Sequence, residues 1–99
     1  MTDSTHPVVE RVQTGIRIEK RLLKVLKGMA EYADISLGDL VEGIVLHSFE
    51  GKSPFDAEAI RGIEMLKQIY GLTLTAADSH KLAERDGTPK DENEDGEQD

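Results

Sequence analysis

Hydrophobic and polar residues alternate with a period of two in one stretch near the N-terminus, residues 12–18, which read Val-Gln-Thr-Gly-Ile-Arg-Ile. One face of this stretch carries Val12, Thr14, Ile16 and Ile18, and the other carries Arg11, Gln13, Gly15 and Arg17. Successive side chains of a strand point to opposite faces, so the pattern predicts a strand with one half-buried face. The glycine marks a position where another molecule can approach the backbone closely.

The hydrophobic period changes to that of a helix directly after the predicted strand. Residues 19–33 place one apolar stripe at helical spacing, formed by Leu22, Val25, Leu26, Met29 and Ala33. Ser36 and Asp39 have the spacing of a capping box, which predicts a second helix over residues 37–49. Gly51 is the stop signal that follows this helix. This second helix is apolar over a broad face, formed by Leu37, Leu40, Val41, Ile44, Val45, Leu46 and Phe49. We therefore expect it to be covered on more than one side.

Two further start signals predict helices in the C-terminal half. The segment Ser53-Pro54-Phe55-Asp56 predicts a helix with Ser53 as its cap and Pro54 at its first position. That helix runs to about Tyr70 and ends at Gly71. The segment 75–78, Thr-Ala-Ala-Asp, predicts a short helix that runs through about Arg85.

A single strand followed by helices leaves its backbone donors and acceptors unpaired, so the strand needs a partner. The only other alternating stretch is the short segment at residues 72–75. Either that segment pairs with residues 12–18 in the same chain, or two copies of residues 12–18 pair with each other. We favour the second arrangement because a homodimer also covers the apolar surface of the helix at 37–49.

The charge of −8 is distributed unevenly along the 99 residues. Residues 78–99 carry nine acids and three bases, whereas residues 9–27 carry six bases and two acids. This asymmetry indicates a basic working surface with an acidic appendage. Residues 86–99 contain no aliphatic or aromatic side chain, and they are expected to form a disordered acidic tail. Residues 1–10 are expected to form a flexible N-terminal arm.

Several classes of protein are disfavoured by what the sequence lacks. No apolar run approaches the roughly 18 residues of a membrane span, the N-terminus has no apolar signal segment, and there is no cysteine. The pairs His47 with Glu50 and His80 with Glu84 could each offer two metal ligands, but a zinc site needs three or four. We therefore expect no catalytic residue, no metal site and no cofactor, and we expect a cytoplasmic protein that is not an enzyme.

The order of strand, basic helix, short turn and apolar helix resembles the ribbon-helix-helix DNA-binding domains of the Arc and MetJ type. The resemblance covers residues 11–50. It is carried by Ile16-Arg17-Ile18 leading into Leu22 and Leu26, and by Asp34-Ile35-Ser36 leading into Leu40, Val41, Ile44 and Val45. The family usually has a glycine where this chain has Asp34. Asp tolerates the left-handed conformation better than most residues, so we expect the turn to survive the change.

This resemblance implies a mainly α fold, namely a ribbon-helix-helix dimer at residues 11–50 with a helical extension at residues 51–85 and the acidic tail. It also implies that the outward ribbon residues Gln13, Gly15 and Arg17 face DNA bases in the major groove. Arginine can pair with guanine and glutamine with adenine through two hydrogen bonds each. The start of the second helix, at Ser36 and Leu37, would hold a DNA phosphate, and Lys20, Arg21 and Lys24 would add phosphate contacts.

The sequence thus predicts a homodimer, or a higher even oligomer, that binds DNA as a small transcriptional regulator. The alternative is a dimeric protein-interaction or scaffold module of the same fold without DNA binding, and residues 53–99 could hold a protein partner in either case. The acidic balance, Gly15 and Asp39 favour the alternative. The basic segment at 9–27 and the pair of Gln13 and Arg17 favour DNA binding.

Overall fold

A computed structural model of the chain describes residues 6–84. Within this range the elements are α1 (Lys20–Ala33), α2 (Leu37–Phe49), α3 (Ala57–Tyr70) and a short 3-10 helix (Ala76–Asp78). The prediction of a mainly α fold is confirmed. The predicted disordered tail at 86–99, and residues 1–5 of the predicted arm, lie outside the described residues.

Helix α1 begins one residue later than predicted because Glu19 serves as its N-terminal cap. The Glu19 carboxylate accepts a hydrogen bond from the Leu22 N–H at 2.8 Å. At the other end of α1, Asp34 has φ 60° and ψ 43°, in the left-handed region. The Ile35 N–H then donates to the Ala30 carbonyl at 3.0 Å, which closes the helix end. The prediction that the turn tolerates Asp34 is therefore confirmed.

Helix α2 has the bounds and the cap that the sequence predicts. The Ser36 hydroxyl accepts a hydrogen bond from the Asp39 N–H at 3.0 Å. Gly51, at φ 71°, follows the helix, and the Lys52 N–H donates to the His47 carbonyl at 2.9 Å. The left-handed conformation of Gly51 therefore closes the C-terminal end of α2.

The predicted cap of α3 is wrong. Asp56 caps the helix, because its carboxylate accepts from the Ala59 N–H at 2.8 Å. The Ser53 hydroxyl instead donates to the Phe55 carbonyl at 3.2 Å, in the turn that precedes the helix. The predicted end at Gly71 is confirmed, with φ 68° and a hydrogen bond from the Leu72 N–H to the Lys67 carbonyl.

The predicted short helix from residue 75 to about Arg85 is also wrong over its described part. Only the 3-10 helix Ala76–Asp78 forms, with the Thr75 N–H donating to the Asp78 carboxylate at 2.8 Å. His80 adopts φ 69°, a left-handed conformation that a helix cannot accommodate. Leu82 is the main apolar residue of the segment, and it is 40% exposed. It therefore buries too little apolar surface to stabilise a longer helix.

Helix α1 is the centre of the fold. It packs against both α2 and α3, whereas α2 and α3 do not pack against each other. Helices α1 and α3 approach closely at Gly28, where a Cβ atom would lie 3.0 Å from a methyl carbon of Leu66. In the described part of the chain the buried hydrophobic residues are Val25 and Ala30, each 5% exposed. The core of a single copy is therefore small and lies along α1.

The predicted strand does not form in the single chain. Residues 7–19 have no regular secondary structure, and no strand occurs anywhere within residues 6–84. Residues 72–75 do not pair with residues 12–18, so the alternative of an intramolecular two-stranded sheet is wrong. The physical reason is that the described part of a single copy offers no strand edge to residues 12–18. Ile16, on the face expected to be inward, is 78% exposed. The dimeric ribbon stays a prediction.

Candidate nucleic-acid interface

The segment before α1 carries the three residues predicted to face DNA bases. Gln13, Gly15 and Arg17 are all exposed. A Cβ atom placed on Gly15 would meet no atom within 4 Å, so the backbone there is open to close approach. No residue between 6 and 33 has a positive φ, which leaves the segment free to adopt a β conformation.

Arg17 is engaged by the C-terminal part of the structure. Its guanidinium forms an ion pair with the carboxylate of Glu84. The side chains remain 73% and 42% exposed, respectively, so this ion pair is in contact with solvent. The residue expected to read a base is thus close to an acid that lies far away in sequence.

The three basic residues predicted to contact phosphates have different surroundings. Arg21 donates from Nε to the Glu19 carboxylate and from a terminal nitrogen to the Gly71 carbonyl, both at 2.9 Å. It therefore connects the start of α1 to the end of α3. Lys24 holds its ammonium 5.6 Å from the centre of the Tyr70 ring, a cation–π contact. Lys20 is exposed and has no ion pair within residues 6–84. Lys20 is thus the most available phosphate contact of the three.

The Glu19 carboxylate, which caps α1, also accepts a hydrogen bond from Arg21. Partial burial of its carboxyl raises the pKa, but hydrogen bonds from Leu22 N–H and from Arg21 outweigh this effect, and the pKa of Glu19 is lowered overall. An ionised carboxylate is also favoured at this position by the positive end of the α1 dipole. The role of Arg21 is therefore at least partly structural.

The start of α2 is a less favourable phosphate site than the resemblance implies. The Ser36 hydroxyl already accepts from the Asp39 N–H, and Leu37 is half-buried. Asp39 lies in the first turn, where its negative charge would oppose a phosphate. Glu42 adds a second acid on the next turn of the same helix.

An ion pair that the sequence pattern did not reveal joins the segment before α1 to α2. Arg11 donates from Nε and from a terminal nitrogen to the two carboxylate oxygens of Glu42, at 2.7 and 2.8 Å. The hydrogen bonds from Arg11 hold the pKa of Glu42 below its usual value, and the same pair raises the pKa of Arg11. The one available signal was the position of Arg11 on the outward face with Gln13 and Arg17. Its partner, 31 residues away, could not be read from periodicity.

The structure thus separates the eight predicted DNA-binding residues into three groups. Arg17, Arg21 and Lys24 contact the C-terminal part of the described chain, through Glu84, Gly71 and Tyr70. Ser36 and Leu37 lie at the start of α2. Gln13, Gly15 and Lys20 are exposed to solvent.

No group of three or more His, Asp or Glu side chains within residues 6–84 is arranged to hold a metal ion. The helices in this range are also too short or too polar to cross a lipid bilayer. Comparison of the chain with known protein families, with curated proteins and with solved structures finds no match.

Proposed function

We propose that the protein is a homodimeric DNA-binding protein of the ribbon-helix-helix type that acts as a small transcriptional regulator. In the dimer, residues 12–18 of two copies pair as an antiparallel ribbon, and the outward residues Gln13 and Arg17 read bases in the major groove. The observation that supports this proposal is that residues 12–18 are exposed and that α2 also exposes apolar side chains in a single copy.

The argument for a dimer rests on apolar surface that a single copy leaves in water. Helix α2 is the most apolar of the three helices, yet none of its residues is fully buried. Phe49 is 81% exposed, and Leu46 and Val45 are exposed as well. Contiguous apolar surface of this kind marks an interaction site. A second copy covers α2 and gives the backbone of residues 12–18 a strand to pair with, so one event resolves both deficits.

The argument for DNA rests on what the ribbon would present on its outer face. Side chains alternate along a strand, so Gln13 and Arg17 face outward when Val12, Thr14, Ile16 and Ile18 face inward. A guanidinium can bind guanine O6 and N7, and a primary amide can bind adenine N6 and N7. Lys20, at the start of α1, adds a positive charge next to the ribbon for a phosphate.

The dimer is tested by sedimentation of the wild type and of two variants that introduce the same charge. Ile16→Asp places a carboxylate on the inner face of the ribbon and is expected to unfold the protein, since burying an unpaired charge is costly. Gln13→Asp places it on the outer face and is expected to leave the dimer intact. A wild type that sediments as a folded monomer at micromolar concentration would contradict the proposal.

DNA binding is tested by selecting duplexes from a random pool and measuring their affinity at several salt concentrations. Arg17→Ala should remove about 1–3 kcal/mol of discrimination at one base position in each half-site. Lys20→Ala should weaken binding to all duplexes alike and reduce the salt slope by about one. Failure to enrich any sequence, together with no binding at low salt, would refute DNA binding while leaving the dimer untouched.

A second candidate function, a dimeric protein-interaction module without DNA binding, is favoured by one specific observation. Arg11, Arg17 and Arg21 each bind an acid or a carbonyl of the same chain. Much of the positive charge of residues 9–27 is therefore already neutralised or committed to structure. An intact dimer that binds no duplex in the selection experiment is the result expected for this function.

A further inference from the structure

The last described residues fold back toward the predicted reading surface. We call residues 79–84 the C-terminal strap. The strap follows the 3-10 helix Ala76–Asp78, and hydrogen bonds from Ser79 N–H to the Ala76 carbonyl and from Lys81 N–H to the Asp78 carbonyl hold its first half. His80 turns the chain with φ 69°. The strap is therefore a turned segment with defined backbone hydrogen bonds.

The strap and the start of α1 line the same groove. Leu22, in the first turns of α1, lines one groove together with Leu72, Leu74 and Leu82. Arg21 fixes the chain just before this region, because it donates to the Gly71 carbonyl at 2.9 Å. The end of the strap lies beside the residues that precede α1, where Glu84 pairs with Arg17.

We propose that the C-terminal strap masks the DNA-reading surface within the same chain. Glu84 binds the Arg17 guanidinium and so keeps it from binding a DNA base. This inference rests on the proposed function, since it concerns the regulation of the same site. A carboxylate and a guanine edge both accept hydrogen bonds from the guanidinium, so the two compete for Arg17. DNA binding then requires the Glu84 carboxylate to leave.

The competition is weak enough to be reversible. The ion pair is exposed on both sides, and an exposed pair contributes little in water and less as salt concentration rises. The mask therefore lowers affinity without abolishing binding. It acts on the residue that distinguishes bases, so it suppresses specific binding more than phosphate binding.

The test is the DNA affinity of full-length Glu84→Gln compared with the wild type, with Glu58→Gln as the matched control. Both variants remove one negative charge. Glu58 lies in the first turn of α3, about 20 Å from the Gly71 end of that helix at 1.5 Å per residue. We expect Glu84→Gln to bind the selected duplex about two- to fivefold more tightly per protomer at low salt, with the gain lost at high salt. Glu58→Gln should bind like the wild type.

A second comparison establishes that the effect acts through Arg17. In the Arg17→Ala background, Glu84→Gln should give no more gain than Glu58→Gln does. Equal affinity of wild type and Glu84→Gln for the selected duplex, or an equal gain in the Arg17→Ala background, would overturn the mask and leave the proposed function standing. No DNA binding by any of the proteins at low salt would overturn the proposed function, and the mask with it.

Discussion

The close approach of α1 and α3 at Gly28 allows a quantitative prediction about the packing of the fold. Gly28→Ala would place a Cβ atom 3.0 and 3.3 Å from the two methyl carbons of Leu66. Ordinary carbon contacts lie at about 3.5–4.0 Å, so the Leu66 side chain or one of the helices must shift by a few tenths of an ångström. Gly62, inside α3, provides the matched control because a Cβ atom there would meet nothing within 4 Å.

The two substitutions share one favourable contribution and differ in one unfavourable contribution. Alanine is better than glycine inside a helix by about 1 kcal/mol, so Gly62→Ala should stabilise the protein by about that amount. Gly28→Ala gains the same propensity, but crowding in a packed site typically costs about 1–3 kcal/mol. We therefore expect Gly28→Ala to be less stable than Gly62→Ala by about 1–3 kcal/mol.

Urea unfolding measures this difference at one fixed protein concentration, since the stability of the proposed dimer would depend on concentration. With a slope of about 1–3 kcal/mol per molar urea, the two midpoints should differ by several tenths of a molar or more. Leu66→Val removes the crowding methyl carbons, so it should lessen the penalty of Gly28→Ala in a double-mutant cycle. Equal stabilisation by Gly28→Ala and Gly62→Ala would refute the reasoning about close packing at this crossing.

Two further predictions concern the Arg11–Glu42 ion pair and the turn at Asp34. The hydrogen bonds from Arg11 lower the pKa of Glu42, so the stabilisation from this ion pair is complete above the ordinary pKa of 4.5 and is lost as the pH falls through the lowered pKa. In an NMR titration, Arg11→Gln should raise the titration midpoint of Glu42, and an unchanged midpoint would contradict the pairing. Asp34→Gly should stabilise the protein by about 0.5 kcal/mol, because relief of the left-handed strain exceeds the added entropy of the unfolded chain, whereas Asp34→Ala should destabilise it by about 1 kcal/mol. Thermal melts of the two variants check this, and an alanine variant as stable as the wild type would be the contrary result.

The elements that the sequence predicts well are those fixed by local chemistry. The ends of α2 follow from Ser36 and Gly51, and the turn at Asp34 follows from the tolerance of that residue for positive φ. The sequence predicts the wrong cap for α3 because Ser53 and Asp56, three residues apart, can both cap a helix. Only the hydrogen bond from the Ala59 N–H to the Asp56 carboxylate distinguishes them.

The features that sequence reasoning missed depend on contacts between distant residues. Periodicity places Arg11 and Arg17 on one face, but it does not place Glu42 or Glu84 beside them. The predicted helix at the C-terminal end failed for a related reason. A helix of this length needs an apolar face packed on a neighbour, and Leu82 alone supplies too little.

Helix α1 packs against both α2 and α3, which do not pack against each other, and this arrangement allows α2 to unfold locally. Helix α2 contacts α1 but not α3, and none of its side chains is fully buried in a single copy. Detaching α2 therefore costs less free energy than unfolding the whole chain, so its amides should exchange with solvent first. In a homodimer that covers α2, association completes the ordering of this helix, and its protection rises with protein concentration. Hydrogen exchange of the α2 amides then becomes a direct gauge of how much of the protein is self-associated.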